Sequence, residues 1–220
     1  MDNKKTVKIL SIETSGSTCG AALAEDGIIS ADYSIFGRNL HDKMLAVFVR
    51  RLLADNSFLL EDVDAISISA GPGSFTGLRI GSSLAKGICF EDKPRLIAVP
   101  TLDAFVFDLI NNIKQNPNTE IAAIVPSHKD LIYIQKFNIT GTPESEILQI
   151  SIKDLNQIVS DKAVLTGKIP MDIKHKHQYY KDLSPKLISN LAYELYKENK
   201  FVKAEDFVPL YVQEFNPKIR

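Results

Sequence analysis

Apolar and polar side chains alternate along Asp64-Ala65-Ile66-Ser67-Ile68-Ser69-Ala70, a period of two that predicts a strand. Just beyond, Leu78, Leu84, Ala85 and Ile88 recur at helical spacing and predict a helix over 76–89. The same patterning predicts strands over 7–13, 19–24 and 28–35, the last two joined by an Asp26-Gly27 turn into an antiparallel meander. A helix over 39–54 and a strand over 95–99 complete the first half. In the second half the signal weakens. It predicts a helix over 102–113, a loop at Asn116-Pro117-Asn118, strands over 121–125 and 131–139, and a turn at Thr140-Gly141-Thr142-Pro143. A short strand over 147–150, a helix over 153–160, a strand over 163–166 and a final helix over 185–197 follow. The polar stretch 167–184 reads as a solvated loop. Its Lys174, His175, Lys176, His177, Lys181 and two tyrosines would suit RNA by charge and stacking, a weaker reading, and a His175-x-His177 metal pair carries less weight still.

Between the strand at 64–70 and the helix that follows lies GPGSFTGLRIG, residues 71–81. A glycine-rich turn at a helix start presents free backbone N–H groups to whatever docks there. The phosphate patterns fail in detail: Thr76 stands where G-x-G-x-x-G requires its third glycine, no Gly-Lys-Ser/Thr follows, and Pro72 removes a donor. An anion site and a tight turn that lets the helix pack close to the sheet are equally supported.

Composition narrows the classes. The chain has 220 residues, 45% hydrophobic and 24% charged, which fits one or two ordinary globular domains. With 26 basic against 27 acidic residues there is no global electrostatic grip on nucleic acid, so any such contact must be local or indirect. No run of 18 apolar residues and no signal-peptide core occurs, which predicts a cytoplasmic protein with no membrane association. Cys19 and Cys89 are too few and too unpatterned for a disulfide framework or a zinc site, so reduced, packed thiols are expected.

Several segments together resemble the TsaB family: Ile9-Leu10-Ser11-Ile12-Glu13-Thr14-Ser15, the hairpin after it, the helix at 39–53, GPGSFTGLRIG, and Leu96-Ile97-Ala98-Val99-Pro100-Thr101-Leu102-Asp103. That family is a bacterial branch of the Kae1/TsaD group within the actin/hexokinase superfamily and serves in making threonylcarbamoyladenosine in tRNA. Beyond about Asn111 only the layout matches. The resemblance implies an α/β, actin/hexokinase-like fold of two sheet-and-helix halves, 1–101 and 102–220, with the terminal segment packing back on the first. Catalytic relatives carry H-x-x-x-H on the helix after the third parallel strand, and here Thr101 and Phe105 stand in those places. Phenylalanine cannot coordinate a metal. Kinases of the superfamily open with D-x-G-x-T, which this chain replaces with Glu13-Thr14-Ser15-Gly16-Ser17-Thr18, where Glu13 and Ser15 could serve a ligand or the hydroxyls could simply bond a hairpin turn. Thr166-Gly167-Lys168 supplies one glycine where an adenosine loop needs several. No catalytic, metal or cofactor-binding residue is therefore expected in the chain alone, and His41 and His128 stand isolated.

What remains is a surface. On the helix over 39–54 the stripe Leu45, Phe48, Val49 and Leu52 should face the sheet, with Leu40 and Val47 outside it. Gly77, Gly81, Ala85 and Cys89 recur every four residues, a strip along which another helix could approach. The expected partner face comprises Leu40, Met44, Val47, Phe75, Gly77, Arg79, Gly81 and Ala85. By resemblance the partner is a TsaD-like catalytic subunit, accompanied by a TsaE-like ATPase, with the chain itself noncatalytic and without a cofactor of its own. The rival readings are an autonomous ATP- or metal-dependent enzyme of kinase or peptidase type, and a homodimer using the same helices. Arg79 sits in the first turn of its helix, against the helix dipole, which suggests a compensating anion, Asp103, Glu13 or a carboxylate or phosphate of the partner, with water around a long flexible side chain as the plainer alternative.

Overall fold

The computed structural model describes residues 6–37, 40–113 and 119–212. The first half builds a five-stranded sheet from β1 (Lys8–Glu13), β2 (Thr18–Glu25), β3 (Ile28–Phe36), β4 (Ala65–Gly71) and β5 (Arg95–Pro100), in the order β3-β2-β1-β4-β5. The three N-terminal strands form an antiparallel meander and β1, β4 and β5 run parallel. Helices α1 (His41–Asp55), α2 (Phe75–Ile88) and α3 (Thr101–Asn112) follow β3, β4 and β5. The second half repeats the wiring with β6 (Ile121–Pro126), β7 (Leu131–Phe137), β8 (Leu148–Ser151), β9 (Val164–Gly167) and β10 (Gln178–Tyr180), in the order β10-β9-β6-β7-β8. Here the helix equivalent to α1 is the single turn α4 (Leu155–Ile158), and α5 (Pro185–Lys197) corresponds to α3.

Alternation along the central strands sorts side chains into separate cores. Ile9, Ala65, Ile97 and Val99 join α3, α5 and the facing side of the second sheet in a core that includes Phe105, Leu109, Phe137, Leu187 and Ile188. Leu10, Ile12, Ile66, Ile68 and Leu96 point the other way, against Leu45, Val49 and Leu52 of α1 and Ala85 of α2. The expected stripe of α1 thus faces the sheet, with Phe48 packed at its margin. A third cluster covers the far face of the second sheet, where Leu155, Val159, Ile169 and Ile173 pack on Ile124 and Ile134.

Three expectations need correction. The stretch 167–184 is not all solvated loop: β10 lies within it and pairs in parallel with β9 as the fifth strand. The helix expected over 153–160 is one turn, preceded by a 3-10 turn at Ile152–Asp154. The strand expected over 131–139 ends at Phe137, where Asn138 Oδ1 accepts from the amides of Thr140 and Thr142 and turns the chain. Asn39 and the loop at 116–118 lie outside the described residues. After α5 the chain returns to the first sheet: Val202 bridges to Leu96, and Ala204 and Phe207 are buried beside α1 and α2.

Candidate functional site

A cleft of about 990 Å³ opens between the halves, lined by the β1–β2 turn, the start of α2, the β6–β7 turn and Lys168. Glu13 ends β1 beneath it and is fully buried. One carboxylate oxygen accepts from Ser15 N at 2.5 Å and Ser15 Oγ at 2.7 Å, and the other accepts from Ser69 Oγ. Burial pushes the Glu13 carboxyl above its ordinary range, opposed by those hydrogen bonds. Both oxygens are committed to the chain's own donors, so Glu13 offers none to the cleft. The neighbouring hydroxyls hold the turn to other elements. Thr14 Oγ1 donates to Gly77 O and Thr18 Oγ1 to Leu183 O, both at 2.8 Å. Lys168 Nζ reaches across to Ser17 Oγ at 2.7 Å while paired with Asp182 at 2.8 Å.

The glycine-rich turn packs tightly on the same residues. Ser74 is the N-cap of α2, accepting from Gly77 N at 3.3 Å, and its own amide donates to Ser15 O at 2.6 Å. A Cβ at Gly77 would fall on Thr14 O, and one at Gly81 on Thr14 Oγ1. Ala85 is fully buried in the α1/α2 core. Gly77, Gly81 and Ala85 therefore face the chain's own sheet, which corrects their place in the expected partner face: the close approach that glycine permits is made by Thr14, in the β1–β2 turn.

The two positions where catalytic relatives carry histidines are sealed. Thr101 and Phe105 are both fully buried, and Phe105 fills the core between the sheets. Thr101 Oγ1 finds no hydrogen-bond partner among the described residues, and a phenyl ring offers no donor atom, so this pair does not fit a metal ion. Among the described residues no group of three or more His, Cys, Asp or Glu side chains could hold one. His175 is half-buried with Nε2 2.8 Å from Ala163 O, and His177 is exposed, so the pair does not converge. His41 is buried with Nε2 3.1 Å from Thr18 O. Both cysteines are buried, and burial, with Glu13 and Asp42 adding, pushes the Cys19 thiol up to about 11.

The outer face of the first half is different. Phe75, at the start of α2, is 51% exposed. The Arg79 guanidinium lies 3.9 Å from the centroid of its ring and 5.9 Å from that of Tyr211, and the two rings are 4.8 Å apart. Among the described residues Arg79 pairs with no carboxylate, which corrects the intramolecular part of its expectation: Glu13 is sealed by serines, and Asp103 makes no ion pair with it. Aromatic faces take the place of an anion. Leu40, Met44 and Val47 are half-buried along α1, and Phe36 at the end of β3 is exposed. Tyr211 carried no sequence signal beyond its aromatic ring, because only the returning C-terminal segment brings it to Phe75.

The family model described as TsaD, tRNA N6-adenosine threonylcarbamoyltransferase, matches residues 36–195. The tRNA threonylcarbamoyladenosine biosynthesis protein TsaB of Escherichia coli (strain K12) is 34% identical over 96 residues, covering 44% of this chain and 41% of that protein. Its counterpart in Bacillus subtilis (strain 168) is 35% identical over 95 residues, covering 43% and 42%. The chain thus spans less than half the length of these curated relatives where it matches them. Among solved structures, YeaZ from Pseudomonas aeruginosa superposes with a TM-score of 0.74 at 22% identity, covering 94% of this chain and all of that one. That likeness shows the fold, two α/β halves each built on a five-stranded sheet, and together with the family match it agrees with the expected actin/hexokinase-like class.

Proposed function

The chain belongs to the TsaD family, on its TsaB branch, and from that premise we propose that it is a noncatalytic subunit of the machinery that makes threonylcarbamoyladenosine in tRNA. Its task is to dock a TsaD-like transferase on the outer face of α1 and α2, with a TsaE-like ATPase completing the assembly. The transferase brings the catalytic groups and the contact with tRNA. This chain takes no cofactor of its own. The observation that carries the reading is the exposed stack of Arg79 on Phe75 beside α1, an aromatic and cationic face with no carboxylate opposite it among the described residues. A guanidinium over a ring, with no carboxylate of its own chain, can offer two parallel N–H groups to a carboxylate of a partner. The docking surface is therefore Leu40, Met44, Val47, Phe75 and Arg79, without the three small residues of α2 that face inward.

Titration calorimetry with the TsaD-like transferase of the same cell tests it. Arg79→Ala and Val47→Asp should each weaken the complex at least about tenfold, roughly 1.5 kcal/mol, with the Tm of the isolated chain nearly unchanged. Arg79→Lys should not restore the affinity, because an ammonium cannot make the planar bidentate pair. Unaltered affinity in both variants places the interface elsewhere on the chain.

A further inference from the structure

The segment after α5 is a fixed strap over the first sheet rather than a trailing end. Val202 bridges to Leu96, Ala204 and Phe207 are buried, and Lys86 Nζ donates to Glu205 O at 3.2 Å. Leu210 N donates to Ala70 O at 2.7 Å, at the end of β4. The next residue of β4, Gly71, has φ +100°, and a Cβ there would lie 2.8 Å from Leu210 O. Glycine at that point both turns the chain into α2 and lets the strap pass.

Between its anchors the strap alternates. Phe207 and Pro209 face inward and are buried, whereas Val208 is 69% and Leu210 45% exposed. Tyr211 then lies against Phe75. Two outward apolar side chains on an anchored, extended segment are held in water, and they continue the Phe75–Arg79 surface beyond the helices. The strap also lies outside residues 36–195, the stretch matched to the family.

We propose that Val208, Leu210 and Tyr211 are part of the surface on which the transferase subunit docks, which rests on the function proposed above. The occupant follows from continuity and charge. Arg79 lies over Phe75, and Tyr211 of the strap lies beside that ring, so the α2 face and the strap meet there and one partner surface that brings a carboxylate to Arg79 also meets Leu210. Its chemistry is an acidic side chain flanked by apolar ones that cover Val208 and Leu210.

Val208→Asp and Leu210→Asp, made singly in the full chain, are titrated with the purified transferase alongside the wild type and Val47→Asp. The Tm of each isolated chain reports folding, and both strap positions are exposed enough to accept aspartate. Each strap variant should bind at least tenfold more weakly with its Tm unchanged, and Tyr211→Phe should bind like the wild type because the stack needs the ring alone. If Val47→Asp weakens binding while both strap variants bind as the wild type does, the strap is outside the interface and only this inference fails. Tighter binding by the strap variants would make the strap a cover over the interface and overturn the inference as well. Strap variants that lose self-association by sedimentation but keep their affinity for the transferase would assign the patch to a second copy, against the proposal. No binding by the wild-type chain overturns the function and the inference together.

Discussion

Asp103, in the first turn of α3, is a carboxyl whose burial pushes it up to about 6 from the ordinary 3.8. A folded state that holds a proton more tightly than the unfolded chain gains stability at low pH and loses it as pH rises. Asp103 therefore favours folding below about pH 4 and gives that up between 3.8 and about 6. Asp103→Asn should stabilise the chain at pH 7 by about 1–3 kcal/mol and flatten this part of the profile in urea titrations. An unchanged profile would mean that water reaches the carboxyl. Gly77→Ala, whose new methyl would strike Thr14 O, should cost about 1–3 kcal/mol by the same measurement, and full stability would show that α2 can lift from the β1–β2 turn. Single residues were unevenly legible. Thr101 and Phe105 stood out in the chain as misfits to a histidine pair, and both prove to be core. Arg79 was legible only as a charge in search of an anion, because its stack includes Tyr211, a neighbour that tertiary structure alone supplies.

Elements near the centre of a sheet announce themselves: in β4 the apolar Ile66 and Ile68 alternate with Ser67 and Ser69, buried hydroxyls that bond Ser11 and Glu13 of the neighbouring strand. β10 did not, being three residues long at a sheet edge with only Tyr179 turned toward the core. It is held instead by side chains: Tyr179 Oη donates to the buried Asp108 at 2.8 Å, and Lys181 Nζ pairs with the same carboxylate at 2.9 Å. Tyr179→Phe should destabilise the chain by about 1–2 kcal/mol, because it removes a donor from a buried carboxylate. A midpoint of denaturation equal to that of the wild type would mean that backbone pairing with β9 suffices. On α2 the interval of four among Gly77, Gly81 and Ala85 was legible, but its direction was not. A strip of small residues admits a strand as readily as a helix, and the choice was made by the β1–β2 turn, where Thr14 closes on Gly77.

At the scale of the molecule, two halves with the same strand order face each other across a cleft, and each contributes one helix, α3 or α5, to the core between them. The first half was readable as an order of elements, and it took the resemblance carried by Ile9–Ser15 and the glycine turn to imply this architecture. The second was readable only as a sequence of elements, since its counterpart to α1 has shrunk to one turn and its β9–β10 connection carries no helix. At the cleft Lys168 bonds Ser17 from across it and Thr18 holds the β1–β2 turn to Leu183, while the exposed aromatic and cationic surface lies outside it on α1, α2 and the strap. Under the proposed function the chain acts through a partner held on that surface. The most direct test is reconstituted threonylcarbamoyl transfer to tRNA, followed as increasing amounts of this chain are added to a fixed amount of the TsaD-like transferase with the TsaE-like ATPase. Transfer should be absent with this chain alone, rise as it is added, and saturate when the transferase is fully complexed. Transfer by this chain without the transferase, or a rate indifferent to its addition, would contradict the proposed role.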